Sequence, residues 1–108
     1  MSIKRTNLNE RFFLWNKPLN RLVWNTTNTL NIYQYNSINI YAELPCPFKI
    51  KVEYLINNEW KPLLEELKSG NIDLTMKIDN SSRLRLSIMP LSNNNDPVIL
   101  CTVNGVIA

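Results

Sequence analysis

Between Ile38 and Ile56 every second residue is apolar, in the order Ile38, Ile40, Ala42, Leu44, Cys46, Phe48, Ile50, Val52, Tyr54 and Ile56. Most of the intervening residues are polar, among them Asn39, Glu43, Lys49, Lys51 and Glu53. A period of two is the pattern of a strand with one face buried and the other in water. The run is too long for one ordinary strand. Pro45 and Pro47 interrupt it, because neither can donate to a ladder. The expectation is two strands, 38–44 and 48–56, joined at a proline corner that keeps the same face inward.

The rest of the chain falls around that pair. Leu22 and Trp24 alternate with Arg21 and Asn25, which predicts a short strand near 20–25. A second is expected at 29–35, with Leu30 and Ile32 inward and Tyr33 and Tyr35 outward. Asn57-Asn58 reads as a hairpin turn. Leu63, Leu64 and Leu67 fit one turn of helix over 63–68, opened by Pro62 and ended at Gly70. Ile72, Leu74, Met76 and Ile78 make a strand, Asp79–Ser82 a turn, and Leu84, Leu86 and Ile88 another strand that closes at Pro90. Residues 91–97 read as a loop. Val98–Val103 is apolar on both faces, as a central strand is. Asn104-Gly105 carries the signal of a type I′ turn.

Seven or eight short strands with a turn every eight to twelve residues predict an all-β fold, a single antiparallel β-sandwich. The strand count, and a cysteine pattern unlike that of immunoglobulin domains, favour a jelly roll. At 108 residues the chain is one domain. It divides into an N-terminal arm or connector, 1–19, and a sandwich, 20–108.

Charge sets the arm apart. Residues 1–24 hold Lys4, Arg5, Arg11, Lys17 and Arg21 against the single Glu10, while the remainder is close to neutral. The arm also carries Phe12-Phe13-Leu14-Trp15, apolar on every side, before Pro18 ends whatever precedes it. A short amphipathic helix and an extended arm both fit. Four large apolar residues in a row need a partner surface, either the open end of their own core or a neighbouring subunit. In the second case Phe12, Phe13, Leu14 and Trp15 are anchors, and Arg11 and Lys17 fix register.

Signals for chemistry are scarce. The chain has no histidine, which removes the commonest general base and metal ligand, and no glycine-rich phosphate loop. No catalytic residue, metal site or cofactor is expected. Cys46 and Cys101 both fall on the buried period. They are read as free buried thiols, as an intrachain bridge closing about 55 residues, or as an intersubunit link through Cys46. Asn25-Thr26-Thr27 and Asn80-Ser81-Ser82 match the glycosylation pattern, but seventeen asparagines make chance matches ordinary. Tyr33, Tyr35 and Tyr41 are expected on outward positions, a candidate face for stacking sugar rings. No membrane-spanning run is present and no nucleic-acid groove is indicated. The first residues do not read as a signal peptide, so synthesis in the cytosol is expected, with display on a cell or spore surface after lysis.

A short N-terminal connector, a compact eight-strand body, cysteines available for crosslinking and no secretion signal together resemble the small jelly-roll subunits that build bacterial surface fibres, such as endospore appendages. The arm departs from that plan in holding no cysteine. The resemblance implies a non-enzymatic structural subunit that self-assembles into a filament or surface appendage. Edge-strand pairing and the N-terminal arm would join the copies. The alternative from the residues alone is a small β-sandwich binding module for a glycan or a protein partner, of phage or host-interaction type.

Overall fold

The computed structural model describes residues 8–32, 35, 37–78 and 83–107. Nine strands run through them: β1 (Leu8–Pro18), β2 (Asn25–Thr26), β3 (Leu30–Asn31), β4 (Ser37–Glu43), β5 (Phe48–Ile56), β6 (Glu59–Lys68), β7 (Ile72–Lys77), β8 (Arg83–Pro90) and β9 (Val98–Ile107). They form two antiparallel sheets in a sandwich-like arrangement. One has the order β1-β9-β4-β7; the other has β2-β8-β5-β6, with β3 also paired to β8. No helix among the described residues is long and apolar enough to cross a membrane.

The core follows from the alternation that opens the chain's pattern. Ile38, Ile40 and Ala42 of β4 and Phe48, Ile50 and Val52 of β5 are all fully buried. They face Leu84, Leu86 and Ile88 of β8 and Ile99, Cys101 and Val103 of β9. Strand β9 lies between β1 and β4; Ile99, Cys101 and Val103 face the core, while Val98 on its other face is exposed. The hairpin at Asn57 and Asn58 has positive φ at both residues, 52° and 63°, the left-handed pair that asparagine tolerates and a type I′ turn requires.

Four expectations are corrected. The helical turn over 63–68 is instead part of β6, whose backbone pairs with β5 from Glu59 to Lys68. The register shifts at Val52/Glu53, so that Val52 faces Leu64 and Glu53 faces Pro62; Leu63 is the extra residue of a bulge. A proline at a bulge on an edge strand forfeits no ladder bond, so the ladder prevails over the local helix signal. The strand expected at 20–25 is a loop that ends in the two-residue β2. Leu22 is exposed and sits at φ 62°.

The Asn104-Gly105 turn is absent, and β9 runs straight through it. Gly105 is needed for space rather than for a turn. A Cβ there would collide with the ring of Phe12 and would stand 2.8 Å from Tyr35 Cγ.

Residues 8–18, placed in the arm by pattern, form the edge strand β1 and pair with β9 along its length. A register shift between Arg11 and Phe13 accounts for the all-round apolar run. Phe13 and Trp15 face inward on the ordinary period, while the bulge turns Phe12 toward Gly105.

Candidate functional site

The two ends of the sandwich differ. At one end lie Leu8, opposite Ile107, and Ser37, opposite both Val106 and Lys77. At the other, the ends of β1, β4 and β9 meet the proline corner and the loop 91–97 around an open groove of about 770 Å³. Its lining mixes apolar residues, Leu44, Pro45, Pro97, Val98 and Leu100, with the polar Asn16, Glu43, Asn71, Ser92, Asn95 and Asp96. Glu43 and Asp96 are the charged residues of this lining, which is acidic, with the Arg21 guanidinium beside it at Ser92.

The groove is held mostly by hydrogen bonds between distant parts of the chain. The backbone N–H of Leu91 donates to the carbonyl of Pro47 at 2.8 Å, and that of Leu19 to Pro97 at 3.0 Å. Asp96 accepts from the backbone N–H of Arg21 at 2.9 Å, and the Arg21 guanidinium reaches the Ser92 carbonyl. Glu43 accepts from the Tyr41 hydroxyl at 2.6 Å. That hydrogen bond, with burial and the nearby carboxylates adding to it, pushes the Tyr41 phenol above its ordinary value.

Both cysteines are free. Cys46 is half-buried in the wall of the groove, and burial pushes its thiol up against the opposing effect of a backbone hydrogen bond at Leu91. Cys101 is buried under the first sheet, and burial alone pushes its thiol up to about 12.

The aromatic residues of the arm, read as covering either their own core or a neighbour, pack within their own chain. Phe12 meets Tyr35 edge to face with ring centroids 5.2 Å apart, and Phe13 meets Trp15 at 4.8 Å. Trp15 is buried, while Arg11, Leu14 and Lys17 are exposed. Of the three tyrosines, two are described and they lie apart. Tyr35 is turned to Phe12, Tyr41 lies on the outer face of the first sheet, and Tyr33 falls outside the described residues. So does the turn expected at 79–82, with its Asn80-Ser81-Ser82 match.

The pattern missed two tryptophans on the outer face of the second sheet. Lys51 Nζ lies 4.5 Å from the ring centroid of Trp24, and the guanidinium of Arg85 lies 4.2 Å from that of Trp60. Arg85 also donates to Glu53 at 2.8 Å, and Thr26 shares a hydrogen bond with Ser87. The available signal was Lys51, Glu53 and Arg85 on outward positions of two alternating strands, with a tryptophan in each flanking segment. Among the described residues, no group of three or more Cys, Asp or Glu side chains could hold a metal.

No family model matches the chain, and no curated protein matches it. A solved structure described as the crystal structure of PirA is similar, with a TM-score of 0.43 and 12% identity over 92% of this chain and 83% of that one. A likeness of that size carries no argument about function.

Proposed function

We propose that the chain is a non-enzymatic structural subunit that assembles head to tail, with residues 1–7 of one copy seated in the acidic end groove of the next. A filament or surface appendage of the spore-fibre kind is the product. One observation carries the reading: the groove lies at the opposite end of the sandwich from Leu8, where the basic residues Lys4 and Arg5 join the body.

That separation selects a neighbour. Leu8 and the groove residue Asn16 are eight strand residues apart, about 26 Å. Arg5 and Lys4 lie within four residues of Leu8, a reach of at most about 14 Å. A copy would have to fold its first residues, fully extended, back along its own strand to bring Lys4 near its own Glu43, whereas a second copy stacked end on end meets them directly. Such a heterologous contact does not close on itself and propagates as an open array.

Two of the sheet edges, β6 and β7, offer little for strand pairing. The edge strand β6 carries Pro62, a bulge and five charged side chains in ten residues, features that discourage pairing with another chain. The other outer strand of the first sheet, β7, is only six residues long and carries Asp73 and Lys77.

The test is deletion of residues 1–7, with assembly followed by size-exclusion chromatography and negative-stain electron microscopy. The full chain should give large species or fibres and the truncated chain a folded monomer. Fibres from the truncated chain, or a monomeric full chain, would overturn the reading. Deleting residues 1–17 would be uninformative, because it removes the strand that covers β9.

A further inference from the structure

The outer face of the second sheet carries an arrangement that end-to-end assembly does not use. Trp24 and Trp60 stand at opposite corners of it, Trp24 just before β2 and Trp60 on β6. Trp60 is level with Leu55, and Trp24 precedes Asn25, which is level with Ile88 and Ile50. With strands about 4.8 Å apart and a rise of about 3.3 Å per residue, the two Cα atoms are roughly 24 Å apart.

Both tryptophans are half-buried, and each is fixed by its cation, Lys51 on Trp24 and Arg85 on Trp60. Arg85 is braced in turn by Glu53. The ground between the rings is roofed by side chains: Ser87, although it points outward, is only 2% exposed. Rings held in fixed orientation on an open sheet lose little entropy when a flat ligand stacks on them.

We propose that this face binds an extended acidic polysaccharide. The tryptophan face that each cation leaves open takes the apolar face of a pyranose ring, and the groups between the tryptophans donate to and accept from sugar hydroxyls. Two contact points so far apart suit a stiff chain of several sugars, since a single hexose cannot bridge them. Charge selects the acidic kind. Four cations, at Lys49, Lys51, Arg83 and Arg85, face outward here against the two carboxylates of Glu53 and Glu65. Single-stranded nucleic acid suits the face less well. Its bases stack on successive aromatics along a basic track, whereas here the two rings stand far apart.

Affinity electrophoresis of the full chain through gels containing polygalacturonate or dextran tests the proposal, alongside a mobility-shift assay with oligothymidylate. Polygalacturonate should retard the protein, and dextran should not. Trp24→Ala and Trp60→Ala should each weaken retardation by about tenfold. Lys49→Glu, at an exposed position outside the core, should weaken it about threefold without affecting the fold. That variant decides the matter if either tryptophan variant fails to fold. No retardation, equal retardation in dextran, retardation unchanged in all the folded variants, or tighter binding of oligothymidylate would overturn the proposal. The face is retained when residues 1–7 are removed, so loss of assembly and loss of binding are separable results.

Discussion

Phe12 and Tyr35 meet edge to face directly over Gly105, the one position of β9 where a side chain would occupy the same space as their rings. The pair fastens the N-terminal strand to the sandwich close to where β1 begins. Gly105→Ala forces both rings to move, and overpacking of this kind costs about 1–3 kcal/mol. Urea denaturation should give that loss of stability with an unchanged slope. Phe12→Ala in the Gly105→Ala background should recover part of it, because the shortened side chain vacates the contested volume.

The loop that presents Trp24 is organised by one asparagine. The Asn25 amide donates to the carbonyls of Asn20, Val23 and Ile88, and its oxygen accepts from the Asn20 backbone N–H at 3.1 Å. Together with the Leu22 N–H bonded to the Pro90 carbonyl, this holds Leu22 at positive φ. Asn25→Ala removes all four of these bonds. With about 1 kcal/mol net for each, reduced where the bond is exposed, the expected loss is roughly 2 kcal/mol. Amide exchange at Asn20 and Leu22 should quicken more than exchange in β4 or β5.

What was legible in the chain is the part that burial dictates. The alternation at 38–56 identified β4, the corner and β5, because a one-residue slip would turn Ile40 or Ile50 into water. Local signals failed where a long-range partner overrode them. Gly105 looked like half of a turn because its real constraint, the ring of Phe12, lies 93 positions away in the sequence. Leu63 and Leu67 looked helical because nothing local announces the bulge that lets Pro62 sit in a strand. The groove and the tryptophan face were illegible for a related reason. Asn16, Glu43, Asn71 and Asp96 come from separate parts of the chain, as do Trp24 and Trp60, and only the strand order brings each set together.

The two thiols should differ in accessibility. At pH 8 Ellman's reagent should label Cys46 in the native protein and reach Cys101 only after unfolding. Cys101 also sets a stability trend. Its folded value is raised to about 12 from an ordinary value of 9.0, so the folded state holds its proton more tightly than the unfolded one. Its contribution is fully present below pH 9 and is lost as pH rises toward 12. Between pH 9 and 11 the wild type should lose more stability than Cys101→Val in parallel urea titrations. Equal losses would mean the thiol is not protected by burial.

Assembly through the end groove should be electrostatic. Glu43→Gln with Asp96→Asn removes two charges while leaving each side chain an oxygen to accept from Tyr41 and from the Arg21 backbone, so the fold should be unaffected. Sedimentation velocity at low ionic strength should show this double variant largely monomeric, as it should Lys4→Glu with Arg5→Glu. Screening acts on the same contact. With a Debye length of about 10 Å at 0.1 M salt and about 3 Å at 1 M, raising salt should shift the wild type toward monomer. Mixing the two double variants should restore one contact, the basic segment of the first in the intact groove of the second, and so give heterodimers but no longer array. A chain with Glu43→Lys, Asp96→Lys, Lys4→Glu and Arg5→Glu should instead assemble again, since the pairing is reversed rather than removed. Failure of that exchange to recover assembly would show that the carboxylates of the groove do not receive the basic segment.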